Sequence, residues 1–182
     1  MKVILISGKA RHGKDTLAWF LQQHLLRSGE RVLIAHYADL VKYVCKTFFS
    51  WNGEKDEYGR HLLQYVGTDI MRSHDPDFWV RFLSEILTCF SDHWDYVIIP
   101  DTRFQNEIEG MRSKFDTVHL RIVNPNVESG LSEEQQAHPS ETSLDDIRPD
   151  AYLYNRGTLK DLEESAEAAW PIINKLFKEN NV

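Results

Sequence analysis

The chain has 182 residues, with 21 lysines and arginines against 28 aspartates and glutamates, for a net charge of −7. That length suits one domain, residues 1–182, with a substantial core. The acidic balance argues against direct nucleic-acid binding, and two cysteines without a close pairing argue against a disulfide framework. No apolar run approaches a membrane span and no secretory signal is visible, so a cytoplasmic location is expected.

Val3-Ile4-Leu5-Ile6 predicts a first strand over 2–7, covered on both faces. Gly8-Lys9-Ala10-Arg11-His12-Gly13-Lys14-Asp15-Thr16 follows, and apolar residues at helical spacing predict a helix over 14–28. Strand, glycine-bounded loop and helix form the setting of a phosphate-binding P-loop. Gly8 and Gly13 open backbone angles closed to other residues. The loop amides and the helix N-terminus then converge on an anion, which Lys14 reaches as a point charge. Asp15 stands where this motif usually carries serine or threonine, and the hydroxyl comes one residue later, at Thr16.

Val32-Leu33-Ile34-Ala35 predicts the second strand, with His36-Tyr37-Ala38-Asp39 at its C-terminal end, where ligands gather in open α/β sheets. Helices are predicted over 40–49 and 60–73, the second interrupted by Gly67-Thr68. A mid-helix glycine costs about 1 kcal/mol against alanine, so this one marks a bend or a close approach. A further helix is predicted from Pro76 to Cys89. Tyr96-Val97-Ile98-Ile99 is the third strand and delivers Pro100-Asp101-Thr102-Arg103. A helix over 104–113 and an alternating strand over 117–123 follow. Residues 124–143 are polar and fit a small lid or a surface excursion. A short strand over 151–154 leads into Asn155-Arg156-Gly157-Thr158 and a last helix over 159–177. Alternating strands and helices imply an α/β fold: a five-stranded, mainly parallel sheet flanked by helices.

A P-loop, an acidic strand end and several arginines suggest Mg²⁺-assisted phosphoryl transfer, in which catalysis is mostly positioning and charge neutralisation. Lys14 holds the transferring phosphate in this reading, and Asp15, Thr16 and Asp101 are the candidate metal ligands. Asp15 equally suits a helix start, and Asp101 a helix cap. Arg103 is placed to contact phosphate or to pair with Asp39 or Glu107. Arg72 and Arg121 are weaker candidates, and His12 lies inside the loop; the other histidines read as core or surface. A regulatory GTPase is disfavoured, because no Asn-Lys-x-Asp signature is present. A non-catalytic nucleotide-binding module remains the alternative without an acceptor.

The P-loop with its Asp15 resembles that of bacteriophage-type deoxynucleoside monophosphate kinases. Further stretches match in order: Ala38-Asp39-Leu40-Val41-Lys42, Leu63-Gln64-Tyr65-Val66-Gly67-Thr68 with Arg72, Asp101 to Glu107, His138-Pro139-Ser140-Glu141, and Asn155 to Leu159. Animal phosphomevalonate kinases are similar in several of these pieces and supply the second acceptor class. The resemblance implies a P-loop kinase fold with an acceptor-binding helical region about 38–92 and a lid about 124–143. It implies transfer of the ATP γ-phosphoryl group to a deoxynucleoside 5′-monophosphate, with ATP and Mg²⁺ required. By position, Gly8, Arg11, His12, Gly13, Lys14, Asp15 and Thr16 serve ATP and the metal, with Asn155, Arg156 and Gly157 near its base. Asp39, Lys42, Gln64, Thr68, Arg72 and Arg103 surround the acceptor, with Trp79 or Phe78 as a stacking surface or as core. Lys14, Asp101 and Arg103 are the catalytic set, and Arg121 or Arg156 close over the phosphates. Ser140 and Glu141 belong to the lid or its hinge. A homodimer, and the host cytoplasm for a phage-encoded chain, go with the family.

Overall fold

The apolar runs become strands because turn residues bound each one and branched side chains suit a pleated surface. The computed structural model describes residues 1–128 and 130–180. Its strands are β1 (Lys2–Ser7), β2 (Val32–Ile34), β3 (Tyr96–Ile99), β4 (Asp116–Val123) and β5 (Ala151–Tyr154). They form one sheet in the order β2-β3-β1-β4-β5, and every pairing is parallel. The helices are α1 (Lys14–Arg27), α2 (Ala38–Phe48), α3 (Glu57–Gln64), α4 (Met71–His74), α5 (Phe78–Cys89), α6 (Gln105–Arg112), α7 (Glu133–Ala137), α8 (Pro139–Thr142) and α9 (Leu159–Glu179).

Alternation along the strands splits the core in two. Ile4 and Ile6 of β1 pack with Leu17 and Leu21 of α1 and with Leu162 and Ile173 of α9. Val3 and Leu5 join the opposite cluster, with Val41 of α2, Trp79 and Leu87 of α5, and Ile108 of α6. β1 is therefore sheathed on both sides, and its four residues Val3 to Ile6 are fully buried. This fixes the loop that leaves its C-terminal end against a rigid base.

Four local differences from the sequence expectations have physical causes. α2 starts at Ala38 rather than Leu40, because the Asp101 carboxylate accepts the N–H groups of Tyr37 (3.1 Å) and Ala38 (2.9 Å). That end of α2 is thus capped from another strand. The helix predicted over 60–73 starts at Glu57, where the Asp56 side chain accepts the Gly59 N–H at 2.7 Å. It then widens into a π-helical stretch, Tyr65–Ile70, before ending as α4. Gly67 lies in that stretch, and its carbonyl accepts the Trp79 indole N–H at 2.8 Å. A Cβ on Gly67 would lie 3.2 Å from Val41 Cγ1, so the glycine lets this stretch press against α2. Pro76 does not begin a helix: α5 starts at Phe78, after a turn in which Phe78 N–H bonds the Asp75 carbonyl. The polar stretch 124–143 is not wholly irregular, since it carries α7 and α8; Ser129 within it lies outside the described residues. Ser132 and Gln135 cap α7 reciprocally, a signal already present in Ser-Glu-Glu-Gln.

Candidate active site

The P-loop leaves β1 between β3 and β4, at the C-terminal edge of the sheet. Gly8 has φ +147°, and a Cβ there would lie 2.5 Å from the Ile122 carbonyl oxygen of β4. Gly13 caps α1 with φ +99°, and a Cβ there would lie 2.8 Å from Asn155 Nδ2. Both positions therefore need glycine twice over, for backbone conformation and for room. Arg11 is left-handed without being glycine, at φ +63°, a strained conformation of the kind held at ligand sites. Lys14 is buried, and its ammonium donates to the carbonyls of Gly8 (2.8 Å) and Lys9 (2.9 Å). Burial, helped by the nearby Arg103 guanidinium, pushes its pKa down to about 8. A bound anion would reverse that penalty.

A cleft of about 350 Å³ opens beside the loop. Arg11, Lys14, Asp15, Asp101 and Arg103 line it together with Lys42, Gln64, Thr68, Arg72 and Trp79. The loop and the helical region 38–92 therefore share a single opening. Asp101 is fully engaged by the α2 N-terminus, and burial raises its pKa. Arg72 is held by Glu107 and lies with its guanidinium carbon 4.0 Å from the Phe104 ring centroid. Glu107 is buried, which lifts its pKa to about 7, although it also accepts the N–H groups of Arg103 (2.6 Å) and Phe104 (3.0 Å). Trp79 is buried with its N–H committed to Gly67, so only part of its ring meets the cleft.

Other candidates sit around this opening rather than in it. Asp39 does not line the cleft and pairs with Lys42 at 2.8 Å. Thr16 is half-buried in the first turn of α1 and does not line the cleft. Gly8, His12 and Arg121 line a second cavity of about 280 Å³, which also meets Arg103. Arg121 donates to the carbonyls of Leu144 and Asp145. Asn155 is buried behind Gly13 and donates to the His12 carbonyl at 3.1 Å. Arg156 and Gly157 are exposed, and Phe78 packs on the core edge with its ring against Trp79.

Sequence reasoning missed three contributors. His36 lines the cleft and stands between two carboxylates, its Nε2 3.5 Å from Asp15 and its Nδ1 3.3 Å from Asp39. Its hydrogen bond with Asp15 raises the imidazole pKa and lowers that of the carboxylate. The available signal was its place at the end of β2. Glu107 was legible as a motif member and as a possible partner of Arg103, but not as the group that organises both Arg72 and the backbone of Arg103. Glu141 of α8 reaches the P-loop: its carboxylate accepts the Ala10 N–H at 3.3 Å and binds the Arg103 guanidinium.

Among the described residues no helix is long and apolar enough to cross a membrane. A family model described as deoxynucleotide monophosphate kinase matches residues 31–166. The deoxynucleotide monophosphate kinase of Enterobacteria phage T4 is 32% identical over 114 residues, covering 61% of this chain and 45% of that protein. The chain thus spans about half the length of that relative. A putative deoxynucleotide monophosphate kinase of Acanthamoeba polyphaga mimivirus is 27% identical over 189 residues, covering 88% of this chain and 92% of that protein. Among solved structures, the Mycobacterium tuberculosis APS kinase CysC, in complex with AMPPNP and APS, superposes with a TM-score of 0.54. That likeness covers 95% of this chain and 97% of the other at 12% identity, and so speaks for the P-loop kinase fold alone. The family match spans the wall of the cleft, the Asp101–Glu107 segment and the α8 contact that the geometry brings together, and the chain belongs to the deoxynucleotide monophosphate kinase family.

Proposed function

We propose that the chain transfers the γ-phosphoryl group of ATP to a deoxynucleoside 5′-monophosphate, giving the diphosphate and ADP. One observation carries the reading: the P-loop lysine and Gln64, Thr68 and Arg72 line a single cleft. Family membership supports the same pairing of donor and acceptor.

The loop amides and Lys14 take the ATP phosphates, and the Asn155–Gly157 loop lies beside the base. Arg103 stands between donor and acceptor. Lys42, Gln64, Thr68 and Arg72 receive the monophosphate, with the Trp79 and Phe104 rings offering apolar surface to its base. Residues 38–92 then form the acceptor region and 124–143 the lid. Phosphate binding offsets the burial penalty on the charged Lys14. Mg²⁺ takes few protein ligands and completes its shell with phosphate oxygens and water. The exposed Asp15 carboxylate at the cleft fits such a site, whereas Thr16, outside the cleft lining, does not reach it as the structure stands. Asp101 shares both oxygens with backbone N–H groups, which suits a link through water. An ion held there would supply charge neutralisation at the phosphates. Closure of the lid excludes water, which otherwise competes as acceptor.

ATP consumption coupled to ADP detection, across a panel of deoxynucleoside monophosphates, tests the reading. Mevalonate 5-phosphate is the control, because of the second resemblance. Turnover with at least one deoxynucleotide and none with the control is expected. Turnover with the control alone, or ATP consumption that no acceptor accelerates, overturns it.

A further inference from the structure

We propose that Glu141 is an internal place-holder for the transferring phosphoryl group. Its carboxylate occupies the anion position of the P-loop while nucleotide is absent, and the phosphate displaces it on binding. This rests on the kinase reading and adds to it a role for α8.

The observation is a carboxylate in the wrong company for an ordinary surface glutamate. Its side chain is only 6% exposed. One oxygen binds the Arg103 guanidinium, and the other accepts the Ala10 N–H, the third position of the loop. Its charge acts on the Lys14 ammonium. A main-chain amide of a P-loop and an arginine, with the loop lysine close by, are groups that such loops present to phosphate. The backbone around the carboxylate is fastened to the same place: Lys9 Nζ donates to the Glu141 carbonyl at 2.6 Å and to Asp145 at 2.7 Å. Arg103 also donates to the Ser140 carbonyl at 2.7 Å. Five contacts thus bind residues 140–145 to the loop and to the end of β3.

A phosphate and the Glu141 carboxylate cannot both hold these donors, since two anions at contact distance in a partly desolvated site repel. Arrival of the phosphate therefore removes the two carboxylate contacts and loosens α8, and its departure lets them re-form. Occupancy of the donor site becomes coupled to the position of the segment that covers it.

The test is titration calorimetry with inorganic tripolyphosphate, a probe that needs no acceptor. Glu141→Gln keeps the shape and removes the competing charge, and should bind the probe about tenfold more tightly than the unmodified chain. Glu141→Asp keeps the charge and should bind like the unmodified chain or more weakly. Glu133→Gln removes one exposed charge at the start of α7 and controls for net charge. Hydrogen exchange supplies a second readout: the probe should raise exchange at residues 139–145 of the unmodified chain, and Glu141→Gln should exchange fast there without it. Equal or weaker binding by Glu141→Gln, or unchanged exchange on adding the probe, overturns the place-holder while leaving the kinase reading intact. Failure of both chains to bind the probe overturns both.

Discussion

Lys14→Met is the most informative single substitution, because it should stabilise the chain while abolishing phosphate binding. Methionine has nearly the length and volume of the lysine stem and needs no hydration. Holding the ammonium's pKa at about 8 instead of 10.5 corresponds to about 3 kcal/mol of cost for the charged form at neutral pH. Losing the two hydrogen bonds to the Gly8 and Lys9 carbonyls returns about 1 kcal/mol, since those oxygens border an open cleft that water enters. The net gain is about 2 kcal/mol, or a rise in Tm of about 4–8 °C for a chain of this length. The pH dependence has a defined sign. The folded chain gives up this proton before the unfolded chain does, so folded stability rises with pH between about 8 and 10.5 and is level below 8. The advantage of Lys14→Met should accordingly be full at pH 7 and shrink through that window. Thermal unfolding at several pH values reads the effect, and calorimetry with ATP reads the lost binding. A variant less stable than the unmodified chain at pH 7, or a difference that ignores pH, would refute a depressed, desolvated Lys14.

Gly13→Ala should cost about 2 kcal/mol or more and weaken ATP binding, because φ is +99° and Asn155 leaves no room; Gly29→Ala, with φ +82° and open space, should cost about 1 kcal/mol. Urea unfolding of the pair separates crowding from backbone preference, and equal losses would contradict the close approach. His119 is fully buried beside Ser7, its pKa pushed down to about 4 by burial and by Arg121. The unfolded chain takes up this proton first, so stability should fall by about 1.4 kcal/mol per pH unit from pH 6.5 towards 4. His119→Asn should flatten that part of an acid unfolding curve, and an unchanged slope would remove His119 from the account. Trp79→Phe keeps the ring but leaves the Gly67 carbonyl without its donor, and should cost about 1–2 kcal/mol. It should raise the acceptor KM more than the ATP KM in steady-state kinetics; equal changes would place Trp79 in the core only.

The strands and the P-loop were legible because their determinants are local: apolar runs, flanking turn residues, and two glycines at a fixed spacing. Strand order was not, since the β2-β3-β1-β4-β5 arrangement depends on which helix packs on which face. The start of α2 escaped because its cap, Asp101, lies in the turn after β3. Gly67 announced an irregular helix, but its π-helical form depends on the indole of Trp79 in the following helix. His36 looked like any histidine at a strand end; its carboxylate partners come from α1 and α2. Glu141 carried no chemistry in sequence because its two partners, Ala10 and Arg103, are distant in the chain. The candidate acceptor residues came from resemblance, and most of them line the cleft, while Asp39 does not.

The central claim is that one cleft brings a P-loop donor and a nucleotide acceptor together. Incubation with ATP labelled on the γ-phosphate and each deoxynucleoside monophosphate, followed by separation of the products, tests it most directly. The account predicts label in a deoxynucleoside diphosphate, one for each ADP formed, and none with Lys14→Met. Label found only in inorganic phosphate, or no transfer to any deoxynucleotide, would contradict it.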